Sequence, residues 1–107
     1  MKYFKDQEKQ QEILGDFDFG IGDAGKTYTF EFWAYNEVAA EIRDIEWTLE
    51  KLPFAGGQKH DELEMIESPI AMGAFAVAKI IIEWKPNVTI KEGLKARLRA
   101  VGKSIWG

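Results

Sequence analysis

Few residues in this chain of 107 have the type and spacing that catalysis needs. The single histidine, His60, sits in a Gly-rich stretch. There is no cysteine, which removes disulfides, thiolate metal sites and a Cys nucleophile. Ser68 and Ser104 have no nucleophile motif around them. Asp16, Asp18 and Asp23 raise the thought of calcium, which wants several converging oxygens and often a Gly at a sharp bend. Two of the three lie on one strand face and no bidentate Glu follows at loop spacing, so a solvated face is the better reading. Gly20-Ile21-Gly22-Asp23-Ala24-Gly25 is Gly-rich but precedes no helical pattern, and reads as a hairpin turn rather than a phosphate loop. Carboxylates are many, yet strand spacing scatters them; a pair acting as acid and base is the one enzymatic option left. Lys95, Arg97 and Arg99 form a basic stripe. It reads first as a solvated face, then as a partner for an acidic strand such as the Glu46/Thr48 face, and last as a phosphate site. The expectation is a chain with no enzymatic activity, no cofactor and no metal.

The aromatic residues carry more. From Lys26 to Asn36 the chain alternates cleanly. Tyr28, Phe30, Phe32 and Ala34 fall on one face, and Thr27, Thr29, Glu31, Trp33 and Tyr35 on the other, as successive side chains of a strand do. The face that should meet water therefore ends in Trp33 and Tyr35. Val77 and Ile81 similarly oppose Ile80 and Ile82 on a later strand. Tyr3 and Phe4 are the only apolar anchors of a polar N-terminal stretch. A contiguous apolar patch on a free monomer marks an interface, with Trp and Tyr as its strongest contributors. Trp33, Tyr35, Val77, Ile81, Tyr3 and Phe4 are thus the expected protein-interaction residues. The alternative is that the N-terminal arm, or the tail at Ile105-Trp106, folds over the same rings. Flat rings with a polar edge also suit sugars.

The elements that position these residues read as short strands. Phe17, Phe19 and Ile21 alternate with Asp16, Asp18 and Gly20 in a first, edge strand. The Lys26–Asn36 stretch is the central strand. Ile45, Trp47 and Leu49 form the inner face of a third, with Ile42 out of phase, so a bulge or bend is expected near Arg43. Lys51 to Glu62, with Pro53, Gly56, Gly57 and His60, is the longest loop, and its polar tip is expected to be mobile and dispensable for folding. Leu63 to Ser68 is a short strand stopped by Pro69, and Phe75 to Trp84 is a strong one. Asn87-Val88-Thr89 fits a glycosylation sequon that is idle unless the chain is secreted. The last strand runs from Gly93 to Val101, with Leu94, Ala96, Leu98 and Ala100 pointing inward. Residues 1–13 read as an N-terminal arm and residues 14–107 as one β-sandwich domain.

Bulk properties agree with one ordinary domain. At 46% hydrophobic the chain can bury a core without staples. A net charge of −4 argues against a dedicated nucleic-acid binder. Met1 to Leu14 has no apolar run of the signal-peptide kind, and Ile70 to Ile82 is broken by Gly73 and Lys79, too short to span a bilayer. The expected setting is the cytosol or a particle assembled there, with no membrane partner.

Four segments together resemble one pattern of immunoglobulin-like domain. They are Phe17-Asp18-Phe19-Gly20 before a turn, Gly25-Lys26-Thr27-Tyr28-Thr29-Phe30-Glu31-Phe32 running into Asn36, Lys79-Ile80-Ile81-Ile82-Glu83-Trp84-Lys85-Pro86, and the alternating run Gly93 to Gly102. The pattern is similar to the hydin-type immunoglobulin-like domain, in which a strand ending in aromatic-x-Pro precedes a hairpin and a final alternating strand. The resemblance covers roughly residues 15 to 102. It implies an antiparallel β-sandwich of about seven strands, used for protein contacts or as a spacer, and transfers no catalytic residue. Such domains usually occur in arrays or on larger chains. Small solitary immunoglobulin-like proteins also occur as accessory proteins on virus particles. The expected function is a structural, protein-interaction module. It either self-associates or decorates a larger assembly such as a virus particle. The alternative is a carbohydrate- or ligand-binding sandwich that uses exposed aromatics.

Overall fold

The computed structural model describes residues 1–51, 63–87 and 89–106. Seven strands follow in chain order: β1 (Lys2–Phe4), β2 (Phe17–Gly22), β3 (Tyr28–Tyr35), β4 (Glu41–Lys51), β5 (Leu63–Glu67), β6 (Val77–Trp84) and β7 (Ile90–Ile105). They form two antiparallel sheets, one ordered β1-β3-β6-β5 and the other β2-β7-β4. The expected all-β sandwich is the observed one, and among the described residues none is helical. The long loop with His60, and Val88 of the sequon, lie outside the described residues.

β3 is central, as its alternation predicts. It lies between β1 and β6 and pairs with β6 without a break, from Tyr28 opposite Trp84 to Tyr35 opposite Val77. Its inner face meets Phe17 and Phe19 of β2 and Leu94, Ala96 and Leu98 of β7 across the sandwich. Rings fill the contact. Phe17 stands edge-on to Phe32 at 4.6 Å, and Phe19 to Phe30 at 5.0 Å. Trp84, Ile80 and Ile82 of β6 are fully buried beside them. Each such side chain contributes about 1.5–3 kcal/mol.

β2 departs from its expected phase. Ile21 was expected beside Phe17 and Phe19, but it is 69% exposed. The cause is Gly20, whose φ of +74° turns the backbone and coincides with register shifts on both sides. The alternation resets, so Gly22 faces inward. A Cβ there would come within 2.6 Å of the Trp84 ring, and the missing side chain is the space Trp84 occupies.

β4 carries the expected bulge. Its pairing with β7 skips between Arg43 and Glu46, and Asp44 has φ +53°. The skip lets both Ile42 and Ile45 reach a second, smaller core with Ala34 and Met72. β7 extends beyond the expected Gly93–Val101 at both ends. Pairing of Glu41 with Ile105 and Ile42 with Ser104 continues the ladder through residues that have no hydrophobic period of their own.

The N-terminal residues add β1 to the first sheet, with Tyr3 opposite Ala34 and Phe4 opposite Trp33. The chain then turns back on itself. Lys5 N–H donates to Gln11 O (2.9 Å) and Ile13 N–H to Tyr3 O (2.8 Å). The Asp6 carboxylate accepts from the N–H groups of Gln10 and Gln11. Local side-chain-to-backbone bonds of this kind favour a turn over regular helix or strand.

Candidate functional site

The register of β3 and β6 decides where the expected interaction residues lie. Tyr35 is directly opposite Val77, Trp33 opposite Lys79, and Glu31 opposite Ile81. Trp33, Tyr35, Val77 and Ile81 therefore share the outer face of one sheet, and all four are half-buried. What half-buries the two rings comes from the same chain. Phe4, itself buried, meets Tyr35 edge-on at 6.4 Å. The Lys9 ammonium lies 4.1 Å from the Tyr35 ring centre. Lys79 Nζ lies 5.6 Å from the Trp33 ring centre and 3.2 Å from Glu31 Oε1. Cation–π contacts at such sites contribute about 0.5–1 kcal/mol. The rings are thus roofed by lysines and by the β1 turn. Tyr3 is not with them. It points inward, edge-on to Phe17 (5.5 Å) and Trp47 (6.4 Å), and burial pushes its hydroxyl pKa up to about 12.

A second surface was not visible in the alternation. At the end of the sandwich where β3 stops and β4 starts, large apolar side chains reach water. Ile70 is 77% exposed, Trp106 69% and Phe75 54%, and Val38, Val101 and Ile105 are exposed with them. These residues come from three separate stretches that the fold ties together. Asn36, buried at the end of β3, is the principal tie. Its side-chain N–H groups donate to Ala40 O and Gly73 O, each at 2.8 Å, and its backbone N–H donates to Ala76 O at 2.9 Å. Ile42 and Met72 exchange two backbone bonds of 2.8 Å, Ile45 N–H donates to Ile70 O, and Trp47 Nε1 donates to Pro69 O at 2.7 Å. Ile105 stands opposite Glu41 at the end of the β4–β7 ladder.

Charge surrounds this end. The N-terminal ammonium and Lys2 both approach the Glu37 carboxylate, at 3.7 and 3.6 Å. Glu41 accepts two bonds from the Arg43 guanidinium, at 2.7 and 3.2 Å, and that hydrogen bonding holds its carboxyl below the usual carboxylate range. Phe75 also sits at φ +57°. A bulky residue there costs about 1–3 kcal/mol, and its ring remains more than half exposed.

The acidic residues considered for calcium are each engaged separately. Asp16 pairs with Arg97 (3.4 Å), Asp18 Oδ1 accepts the Gly20 N–H (2.9 Å), and Asp23 pairs with Lys26 (3.4 Å). Among the described residues no group of three His or acidic residues could hold a metal ion. Two members of the basic stripe lie against acidic neighbours, Arg97 3.4 Å from Asp16 and Lys95 opposite Asp18, while Arg99 stands opposite Thr48. A cleft of about 210 Å³ opens between the β1 turn and β2, over Phe17 and Phe32, with Lys5, Glu12 and Asp16 at its walls. It is smaller than the roughly 300–1,000 Å³ of ordinary small-molecule sites.

Comparison with known protein families, curated sequences and solved structures finds no match to this chain.

Proposed function

We propose that this chain is a non-enzymatic protein-interaction module, a small accessory protein that docks on a larger assembly such as a virus particle. The observation that carries the reading is the apolar end of the sandwich. Val38, Ile70, Phe75, Val101, Ile105 and Trp106 are exposed together while the interior is well filled. A patch of large apolar groups ringed by charge is the composition of an interface core and rim. The strained, exposed Phe75 suits the role of an anchor that a partner's pocket would bury. The lysine roofs over Trp33 and Tyr35 weigh against the carbohydrate alternative, which needs open ring faces.

Kinship with immunoglobulin-like domains is supported by strand order. Lettered A, B, C, D, E and F in turn, β1, β3, β4, β5, β6 and β7 give an ABED sheet facing a C–F pair, as in that fold. β2 stands where the G strand of such domains stands. The place on a virus particle rests on that kinship alone.

The test is native mass spectrometry of the protein taken from its source, beside an Ile70→Ser/Phe75→Ser variant. A stoichiometric complex with a larger protein, lost in the variant while its melting temperature stays within a few degrees, supports the reading. A monomer retained on immobilised polysaccharide contradicts it.

A further inference from the structure

We infer that the edge of β7 from Leu98 to Ile105 receives β5 of a second copy of this chain, joining copies head to tail. The inference rests on reading the chain as a protein-docking module, but it uses a strand edge that leaves Ile70 and Phe75 outside the contact and shares only Val101 and Ile105 with the apolar end. β7 is 16 residues long and β2 only six. Their pairing ends at Phe17 opposite Ala96, so beyond Ala96 the only ladder partner of β7 among the described residues is β4, on its other side. Alternate N–H and C=O groups along some eight residues therefore face away from any ladder, which is a template for another strand. β5 is the free edge of the other sheet and pairs only with β6 among the described residues.

Charge selects the pairing. Gly93 to Trp106 contains Lys95, Arg97, Arg99 and Lys103 and no acidic residue. Two β7 edges joined antiparallel about Val101 would set Arg99 against Lys103 of the other copy, and like charges directly opposite are destabilising. β5 presents exposed Glu64 and Glu67 around an exposed Ile66. Two β5 edges would oppose each other in the same way. β5 against β7 instead sets Glu64 and Glu67 near Arg99 and Lys103, with Ile66 beside Val101. Such a contact is heterologous, so it leaves a free β7 and a free β5 at the two ends and propagates into rings or filaments.

Sedimentation velocity on the full chain over a range of concentrations at low salt tests this. The wild type should associate, and added salt should weaken the association. Two reversed variants are compared with it, Arg99→Glu/Lys103→Glu and Glu64→Lys/Glu67→Lys. Each alone should associate at least about tenfold more weakly. Mixed in equal amounts they should associate again, because the acidic β7 of one then meets the basic β5 of the other. Lys103→Glu alone serves if the double variant does not melt as a folded protein. The Ile70→Ser/Phe75→Ser variant should associate as the wild type does, which separates this edge from a contact through Ile70 and Phe75. A wild type that stays monomeric, reversed variants that associate normally, or a mixture that stays monomeric would each overturn the inference.

Discussion

Gly22 shows how one missing side chain can set a core. The fully buried Trp84 ring stands where a Cβ at position 22 would be, with Tyr28 also close to that point. Gly22→Ala should destabilise the protein by about 1–3 kcal/mol, the usual penalty of overpacking, measured by urea unfolding. A neutral result would show that Trp84 can move aside. Tyr3 gives a second test at this scale. Its hydroxyl is raised from 10.0 to about 12 by burial. The folded state therefore holds that proton after the unfolded chain has released it. Stability contributed by neutral Tyr3 is fully present below pH ~10 and declines as pH rises from ~10 towards ~12. A tyrosinate absorbance titration should show one late step, and Tyr3→Phe should remove it and flatten the loss of stability in that window. A Tyr3→Phe variant whose absorbance titration and loss of stability above pH ~10 are unchanged would contradict the burial described.

Asn36 acts between elements. It sits at the end of β3, closes the 36–40 turn through Ala40 O and holds it to the 73–76 turn by two hydrogen bonds, to Gly73 O and Ala76 O. Asn36→Ala should cost about 1–3 kcal/mol, because the buried Ala40 carbonyl and the partly buried bond to Gly73 O lose their donor. Asn36→Asp should cost at least as much, since a carboxylate cannot donate to either carbonyl. Thermal melting of both variants checks this, and an unchanged melt would mean the turns hold without the tie. The strands themselves were largely legible. The alternation of β3, the inner faces of β4 and β7 and the bulge near Arg43 follow from period-two patterning and the misplaced Ile42. What escaped depends on backbone turns or distant partners. Gly20 flips Ile21 outward, and β4 prolongs β7 through residues with no pattern. β1 pairs because Phe4 and Tyr3 find opposite faces of β3, which no local period encodes. Of the expected interaction residues, Trp33, Tyr35, Val77 and Ile81 do share a face, whereas Tyr3 lies on the other side of the sheet. The apolar end was not legible. Ile70, Phe75 and Trp106 lie outside the strands, where exposure has no periodic signature.

At the scale of the whole molecule, the sandwich leaves apolar surface at one end and, among the described residues, open ladder edges on β5 and β7 that meet that end only at Val101 and Ile105. The interior holds Phe17, Phe32, Trp84 and their neighbours, and the apolar end is a surplus that the chain does not bury. Scattered exposed side chains need no explanation, but Val38 and Phe75, exposed on two turns that the buried Asn36 ties together, with Ile70, Ile105 and Trp106 exposed at the same end, do. The central claim is that this end is a docking surface. It is tested most directly by native mass spectrometry of the protein from its source, with and without Ile70→Ser/Phe75→Ser. The account predicts a defined complex with a larger protein that the double variant loses while remaining folded. A wild-type protein that is free of any larger partner, or a folded variant that keeps the complex intact, would contradict it.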